Sequence, residues 1–100
     1  MGEKVINIAK DFSRAPAGRF VSDGPNSGER FRTDFLIPAL ATEQSVTLEL
    51  DGTRGYGSSF LEEAFGGLIR LGYATADLVR RITLRSSDPS LVQEIQEYWA

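Results

Sequence analysis

Short apolar runs along the chain alternate with segments whose apolar residues recur at helical spacing. Three runs predict strands, at Val5–Ile8, Ser45–Leu50 and Ile82–Leu84. A fourth short strand is expected at Arg19–Val21, pairing back on the first strand. Because strands and helices alternate, we predict an α/β fold: a sheet of about four strands, mostly parallel or mixed, with three to four helices packed on it. Residues 1–100 are expected to form one small domain.

Polar and special residues mark the ends of the predicted helices. Asn26 or Ser27 is expected to cap the first long helix, and Glu29 completes a capping-box pattern with Asn26. Pro38 is expected to kink this helix or to end its regular part early. Gly72 is expected to stop the second long helix.

The segment Gly52–Ser59 is a glycine-rich turn from the second strand into a helix. Ligands of open α/β sheets bind beyond the carboxyl ends of the strands, and the N–H groups that begin a helix suit an anion. The segment departs from the phosphate-binding P-loop pattern because Ser58 stands where that pattern has lysine, so nucleotide hydrolysis is not expected. A simpler role for Ser58 or Ser59 is to cap the helix.

The second long helix contains two pairs of identical adjacent residues, Glu62 with Glu63 and Gly66 with Gly67. Adjacent residues of an α-helix point about 100° apart, so Glu62 and Glu63 are expected to form a solvated first-turn face that complements the helix dipole. Gly66 and Gly67 each cost about 1 kcal/mol relative to alanine. That cost indicates a close packing contact, which we expect to be with the sheet.

Composition narrows the possible chemistry. The chain has no histidine and no cysteine, which excludes disulfides, thiol nucleophiles, imidazole bases and the usual zinc ligands. A hydrolase or transferase centred on Asp51, Glu62 or Glu63 has no support from spacing, so no enzyme, metal or cofactor is predicted. The net charge of −3 argues against nucleic-acid binding. Without an apolar span or a secretion signal, no membrane association is expected and the chain is predicted to be cytoplasmic.

Nine of the eleven cationic residues are arginines, whose guanidinium groups suit carboxylate or phosphate. Five of them lie in the first part of the chain, near the glycine-rich segments. One interpretation is that they form surface ion pairs with neighbouring acidic residues. The other is that Arg19, Ser27, Gly28 and Arg32 converge with the Gly55–Ser59 loop to bind an anion or a nucleotide.

Beyond these patterns, the unit that runs from Leu48 through Ser58 and Ser59 to Leu68 is similar to the central unit of STAS domains, the fold of anti-sigma-factor antagonists. The whole chain more specifically resembles the STAS-like family of unknown function. The stretches that carry this resemblance are Ile8–Ser13, Gly18–Phe20, Gly24–Arg32 and Ser58–Leu68.

The resemblance implies a regulatory protein-interaction module. In STAS antagonists a serine at the start of this helix is phosphorylated by a GHKL-type kinase, and phosphorylation switches binding to that kinase. Carried over, the phospho-acceptor is Ser59, with Ser58 as the second choice, and the partner is a GHKL-type ATPase or kinase. The expected contact surface consists of Thr53, Arg54, Gly55, Gly57, Phe60, Glu62 and Glu63, with Arg19, Ser27, Gly28 and Arg32 beside it. This chain has Gly57 where antagonists usually have aspartate, and Phe60 where they have glycine.

Overall fold

Three parallel strands form the sheet in the computed structural model, which describes residues 2–100. The strands are β1 (Glu3–Asn7), β2 (Ser45–Glu49) and β3 (Ile82–Arg85), and they lie in the order β1–β2–β3. Leu48 of the central strand is aligned with Ile6 on one side and with Leu84 on the other. The α/β class is therefore confirmed, with three strands rather than four.

Five helices accompany the sheet in this part of the chain, rather than the predicted three to four. In two of them a π-helical turn interrupts the α-helix. The helices are α1 (Ile8–Phe12, a π-helical turn), α2 (Gly28–Phe31, Arg32–Leu36 and Ile37–Thr42), α3 (Ser58–Leu61, Glu62–Gly66 and Gly67–Arg70), α4 (Thr75–Arg81) and α5 (Pro89–Tyr98). The middle segments of α2 and α3 are the π-helical turns. Gly72 follows α3 with φ of 104°, as expected for a stop.

The segment expected to form a fourth strand binds to the start of α2 instead. The carbonyl groups of Gly18 and Arg19 accept hydrogen bonds from the N–H groups of Gly28 and Glu29, each at 3.0 Å. The first N–H groups of a helix have no partner within it, so this segment satisfies two of them. Val21–Asp23 then forms one 3-10 turn. The strand prediction was wrong because these backbone groups pair with a helix end rather than with β1.

Ser27 caps α2, as predicted. Its Oγ accepts a hydrogen bond from the backbone N–H of Arg30 at 3.1 Å. The capping box with Asn26 is wrong, because the Glu29 carboxylate accepts instead from the N–H of Val21 at 2.9 Å. Glu29 therefore joins the 17–26 segment to the helix that follows it.

Pro38 lies within α2 and does not end it. The α-helix is interrupted after Phe31 by the π-helical turn, in which the N–H of Ile37 bonds to the carbonyl of Arg32, and it is regular again around Pro38, so the expected early end of the regular part at Pro38 is wrong. Proline has no N–H to donate, and the wider turn changes the hydrogen-bond spacing immediately before it. The helix then continues to Thr42.

Helices cover only one face of the sheet. Both crossovers, β1 to β2 and β2 to β3, run in the same direction, and right-handed crossovers then place their helices on the same side. The strand residues facing that side are buried in the hydrophobic core with the helices: Ile6, Val46, Leu48 and Ile82. On the opposite face Val5 is 50% exposed and Thr83 is exposed, whereas Thr47 of the central strand is buried and donates to the Glu3 carboxylate at 3.1 Å. Within residues 2–100, no helix has the length and apolar character needed to cross a membrane.

Arg81, the last residue of α4, closes the connection between α2 and β2. Its guanidinium group donates to the carbonyl oxygens of Leu40 at 2.6 Å, Glu43 at 2.8 Å and Gln44 at 3.1 Å. The last carbonyl groups of a helix have no partner within it. One side chain therefore satisfies the end of α2 and the turn that leads into the central strand.

We expect Arg81→Ala to lower the free energy of unfolding by about 2 kcal/mol, because three carbonyl groups lose a charged donor. The neighbouring Arg80 pairs with the exposed Asp77 on the same helix, so Arg80→Ala is expected to cost less than about 0.5 kcal/mol. Urea denaturation of both variants measures the difference. Equal urea midpoints for the two variants would contradict this role of Arg81.

Candidate functional site

Two hydrogen bonds anchor the Gly52–Ser59 loop to the rest of the domain. The hydroxyl of Tyr56 donates to the carbonyl of Leu50 at 2.7 Å, and the N–H of Arg54 donates to the carbonyl of Arg14 at 2.8 Å. Gly52 and Gly55 have φ of 100° and 135°, a region that favours glycine. The loop therefore has a defined path from β2 into α3.

Ser58 and Ser59 are the first two residues of α3, and both are exposed. The capping position belongs to Gly57, whose carbonyl accepts from the N–H of Leu61 at 3.1 Å. The prediction that a serine caps this helix is therefore wrong. Neither serine hydroxyl makes a hydrogen bond to any residue from 2 to 100, so both remain accessible at the helix start.

Five charged side chains meet one turn further along α3. We call Arg19, Arg32, Glu62, Glu63 and Arg70 the arginine–glutamate cluster. The Glu63 carboxylate lies at its centre, 3.2 Å from Arg19, 2.9 Å from Arg32 and 3.2 Å from Arg70. Glu62 binds Arg19 and also Arg70, the latter at 2.6 Å.

Because both carboxylates are paired with arginines, the prediction that Glu62 and Glu63 form a solvated face is wrong. Glu63 is buried, because α2 and the 17–26 segment pack against the first turns of α3. Hydrogen bonds from Arg70 and then from Arg19 lower the pKa of Glu62 below its ordinary value. Three guanidinium groups and two carboxylates give the cluster a net charge of +1 (3 − 2).

Glycines allow α2 and α3 to approach closely at this cluster. A Cβ on Gly28 would overlap the backbone oxygen of Phe60 and lie 3.0 Å from the nitrogen of Ala64. A Cβ on Gly67 would overlap Nη1 of Arg32, which donates to both the backbone oxygen and the carboxylate of Glu63. The close contact expected at Gly67 therefore exists, but it is with an arginine of α2 and not with the sheet.

The predicted site residues other than the serines, Phe60 and the two glutamates separate into three groups. Thr53, Arg54, Gly55 and Gly57 lie in or beside the exposed loop, whereas Arg19 and Arg32 bind Glu62 and Glu63. Ser27 and Gly28 are buried at the helix contact. Two arginines expected to approach the Gly55–Ser59 loop are thus paired with carboxylates of α3.

Phe60 is not part of the surface, in contrast to the prediction. Its side chain is 0% exposed. Ring centroids of Phe12, Phe31 and Tyr56 lie 6.1, 6.0 and 6.0 Å from its own. The aromatic side chain that follows the serines therefore fills the core beneath the helix start.

Sequence reasoning missed Arg70 and the anchoring role of Tyr56. Arg70 follows Glu63 by seven residues and Glu62 by eight, a separation of two helical turns that places them on one face. Helical spacing was therefore an available signal for Arg70. The bond from Tyr56 to Leu50 had no comparable signal, because it depends on the path of the loop.

A second feature lies on the other side of the loop. A groove of about 490 Å³ separates it from the start of α5, and Asp51, Tyr56 and Glu94 are among its lining residues. Asp51 accepts hydrogen bonds from the N–H of Ser87 at 3.0 Å and from its hydroxyl at 3.2 Å. Across residues 2–100, no group of three or more acidic side chains is arranged to hold a metal ion.

These features define a small α/β domain that has a parallel sheet with helices on one face and an exposed N-terminus of α3. A family model described as a STAS-like domain of unknown function (DUF4325) matches residues 27–91. This match covers more than half of the chain, which therefore belongs to that family. The family description suggests a regulatory role. No curated protein and no solved structure that was compared matches the chain.

We expect Gly67→Ala to lower the free energy of unfolding by about 2 kcal/mol, because the added methyl group displaces the Arg32 guanidinium. In an Arg32→Ala background the same change is expected to be neutral or stabilising by up to about 1 kcal/mol, since alanine favours the helix and the obstacle is gone. Chemical denaturation of the four chains in this double-mutant cycle measures the coupling. The same cost in both backgrounds would contradict the contact.

Tyr56 provides a prediction that depends on pH. Its burial, assisted by the charge of Asp51 and partly offset by a hydrogen bond involving Thr53, raises the pKa of the phenol to about 12 from an ordinary 10.0. Its contribution to stability is therefore fully present below pH 10 and is lost as the pH rises toward 12. Ultraviolet titration of phenolate absorbance is expected to show a late transition that Tyr56→Phe removes. An unchanged titration in Tyr56→Phe would contradict the assignment.

Proposed function

We propose that the chain is a regulatory protein-interaction module whose contact surface is the Gly52–Ser59 loop and the first turn of α3. The proposed partner is a GHKL-type ATPase or kinase, and phosphorylation of Ser59 controls the interaction. The proposal assigns no catalytic step to the chain itself. The observation that carries it is the pair of exposed serines, Ser58 and Ser59, whose hydroxyl groups have no partner within residues 2–100.

The surroundings of the serines support this role. A side chain that is to be modified or bound by a partner must be accessible, and one that caps a helix is already in use. Here Gly57 provides the cap, which leaves both hydroxyl groups available. The buried Phe60 ring and the loop anchors hold the backbone around the serines in place, so a partner meets a preformed surface.

Electrostatics support phosphorylation at the same position. A phosphoserine carries about −1.5 to −2 charges at neutral pH. Helix starts favour negative charge, and the nearby arginine–glutamate cluster has a net charge of +1 (3 − 2). Glu62 and Glu63, three and four residues after Ser59, are the members of that cluster nearest to it along the helix, and both are already paired with arginines that offset their repulsion of a phosphate. The domain can therefore remain folded with a phosphate on Ser59, whereas a partner bound at this surface would be in contact with the added negative charge.

The alternative of an anion- or nucleotide-binding site has less support. Arg19 and Arg32, the two cations that would bind the anion, already contact Glu62 and Glu63. An anion would have to displace those carboxylates, one of which is buried. No other observation favours this function.

The test combines binding with phosphorylation. The probe is a purified GHKL-type ATPase, titrated by calorimetry against the wild type, Ser59→Asp and Ser59→Ala. We expect the wild type and Ser59→Ala to bind, and Ser59→Asp to bind at least tenfold more weakly, because a charge is desolvated at the contact. Gln96→Glu, which adds the same charge at an exposed position of α5, is the control and is expected to bind like the wild type.

Mass spectrometry after incubation with the ATPase and ATP identifies the modified residue. We expect one phosphate, retained in Ser58→Ala and absent in Ser59→Ala. Lack of binding between the wild type and the ATPase would exclude this function, and equal affinities of Ser59→Asp and Gln96→Glu would exclude control by Ser59.

A further inference from the structure

The strand β1 lies at an edge of the sheet, and part of its backbone faces away from β2. In a strand, the N–H and C=O of one residue point to the same side, and successive residues alternate. The carbonyl of Gly2 accepts from the N–H groups of Gln44 and Ser45, which lie on the β2 side. The backbone groups of Glu3 and Val5 therefore point outward.

The hydrogen bonding of Asn7 agrees with this alternation. Asn7 is the next outward residue, and its N–H donates to the Asp11 carboxylate at 2.8 Å instead of to a strand. Asp11 thus occupies the far end of the edge. The open part of the edge consists of residues 3–5.

A largely apolar groove, whose lining also includes Lys4, Asp34 and Glu43, runs beside this open edge on the core side. It has a volume of about 420 Å³, and β1 contributes Lys4 and Ile6 to its lining. The apolar part of its opposite wall is Phe35, Pro38 and Ala39 of α2. No residue of β2 lines it, so the groove lies beside β1 on the side away from the rest of the sheet.

We propose that this edge and groove bind an extended segment of a partner protein as an added strand. The outward backbone groups of Glu3 and Val5 specify an extended backbone, because only a strand presents matching donors and acceptors at that spacing. Alternate side chains of the segment enter the groove against Ile6 and Phe35. The intervening side chains lie on the exposed sheet face beside Val5. The segment is therefore short and alternates apolar with polar residues.

This surface is separate from the one proposed around Ser59. The groove is lined only by residues of β1, of α2 and of the turn after α2, whereas Ser59 begins α3 beyond the opposite end of the sheet. Strand binding at the β1 edge can therefore be tested independently of phosphorylation at Ser59.

The probe is the blocked hexapeptide Ser-Val-Thr-Leu-Glu-Leu, which copies residues 45–50 and alternates polar with apolar side chains. It is titrated into the ¹⁵N-labelled chain and followed by nuclear magnetic resonance. We expect shift changes centred on Glu3, Val5 and the α2 wall. We also expect hydrogen exchange of the Val5 amide to slow at least tenfold at saturation.

Val5→Pro removes an outward N–H and leaves the bonds of Lys4 and Ile6 to β2 in place. It is expected to weaken peptide binding at least fivefold, whereas the matched control Val5→Thr retains the N–H and is expected to bind within twofold of the wild type. Pro38→Glu, at an exposed position on the groove wall, places a charge beside the entering side chain. It is expected to weaken binding by a similar factor without relying on a strand substitution.

Three results would overturn the proposal. The first is unchanged affinity in both Val5→Pro and Pro38→Glu. The second is a set of shift changes centred on the β3 edge. The third is protection of the Glu3 and Val5 amides in the free chain together with a dimer in sedimentation, which would assign the edge to a second copy.

Discussion

The ion pair between Arg32 and Glu63 joins the two long helices, and the candidate surface depends on that junction. The two side chains are only 11% and 10% exposed. A carboxylate in such a position is tolerated only with several donors, and Glu63 receives them from Arg19 and Arg70 as well as from Arg32. Small residues make the approach possible, because Gly67 lies under the guanidinium group. The ion pair between Arg32 and Glu63 therefore depends on glycine at position 67, whose lack of a side chain leaves room for the guanidinium group.

This junction determines how the start of α3 is presented. Arg19 belongs to the segment before α2, Arg32 to α2 and Arg70 to the end of α3, so three separate parts of the chain converge on the first turns of one helix. The exposed serines lie immediately before that point. Their surroundings are consequently held by contacts from three parts of the chain, while their own side chains take no part in those contacts. A surface of this kind suits recognition by another macromolecule better than enclosure of a small substrate.

Local patterns predicted what local interactions determine. The three strands, the Ser27 cap and the stop at Gly72 each depend on residues close in sequence, and all were found. The partners of Glu63 were not predicted from the sequence. Arg32 and Arg19 lie 31 and 44 residues away in the chain, and only the fold brings them near Glu63. The fourth strand failed for a related reason. Its residues have strand-like composition, but their backbone groups are needed at the start of α2.

The order of the strands explains why surfaces, rather than an enclosed pocket, dominate this domain. Because both crossovers advance in one direction, the sheet has no point at which neighbouring loops diverge to opposite faces, and that divergence is what opens a crevice in larger α/β proteins. Within residues 2–100, the same order leaves one face of the sheet without helices and both outer strands without a neighbour. Polar residues such as Thr83 make the bare face compatible with water. The edge of β1 differs from the bare face, because its outward backbone groups adjoin a largely apolar groove. Water can form hydrogen bonds with the backbone groups, but its contact with the apolar surface of the groove is unfavourable.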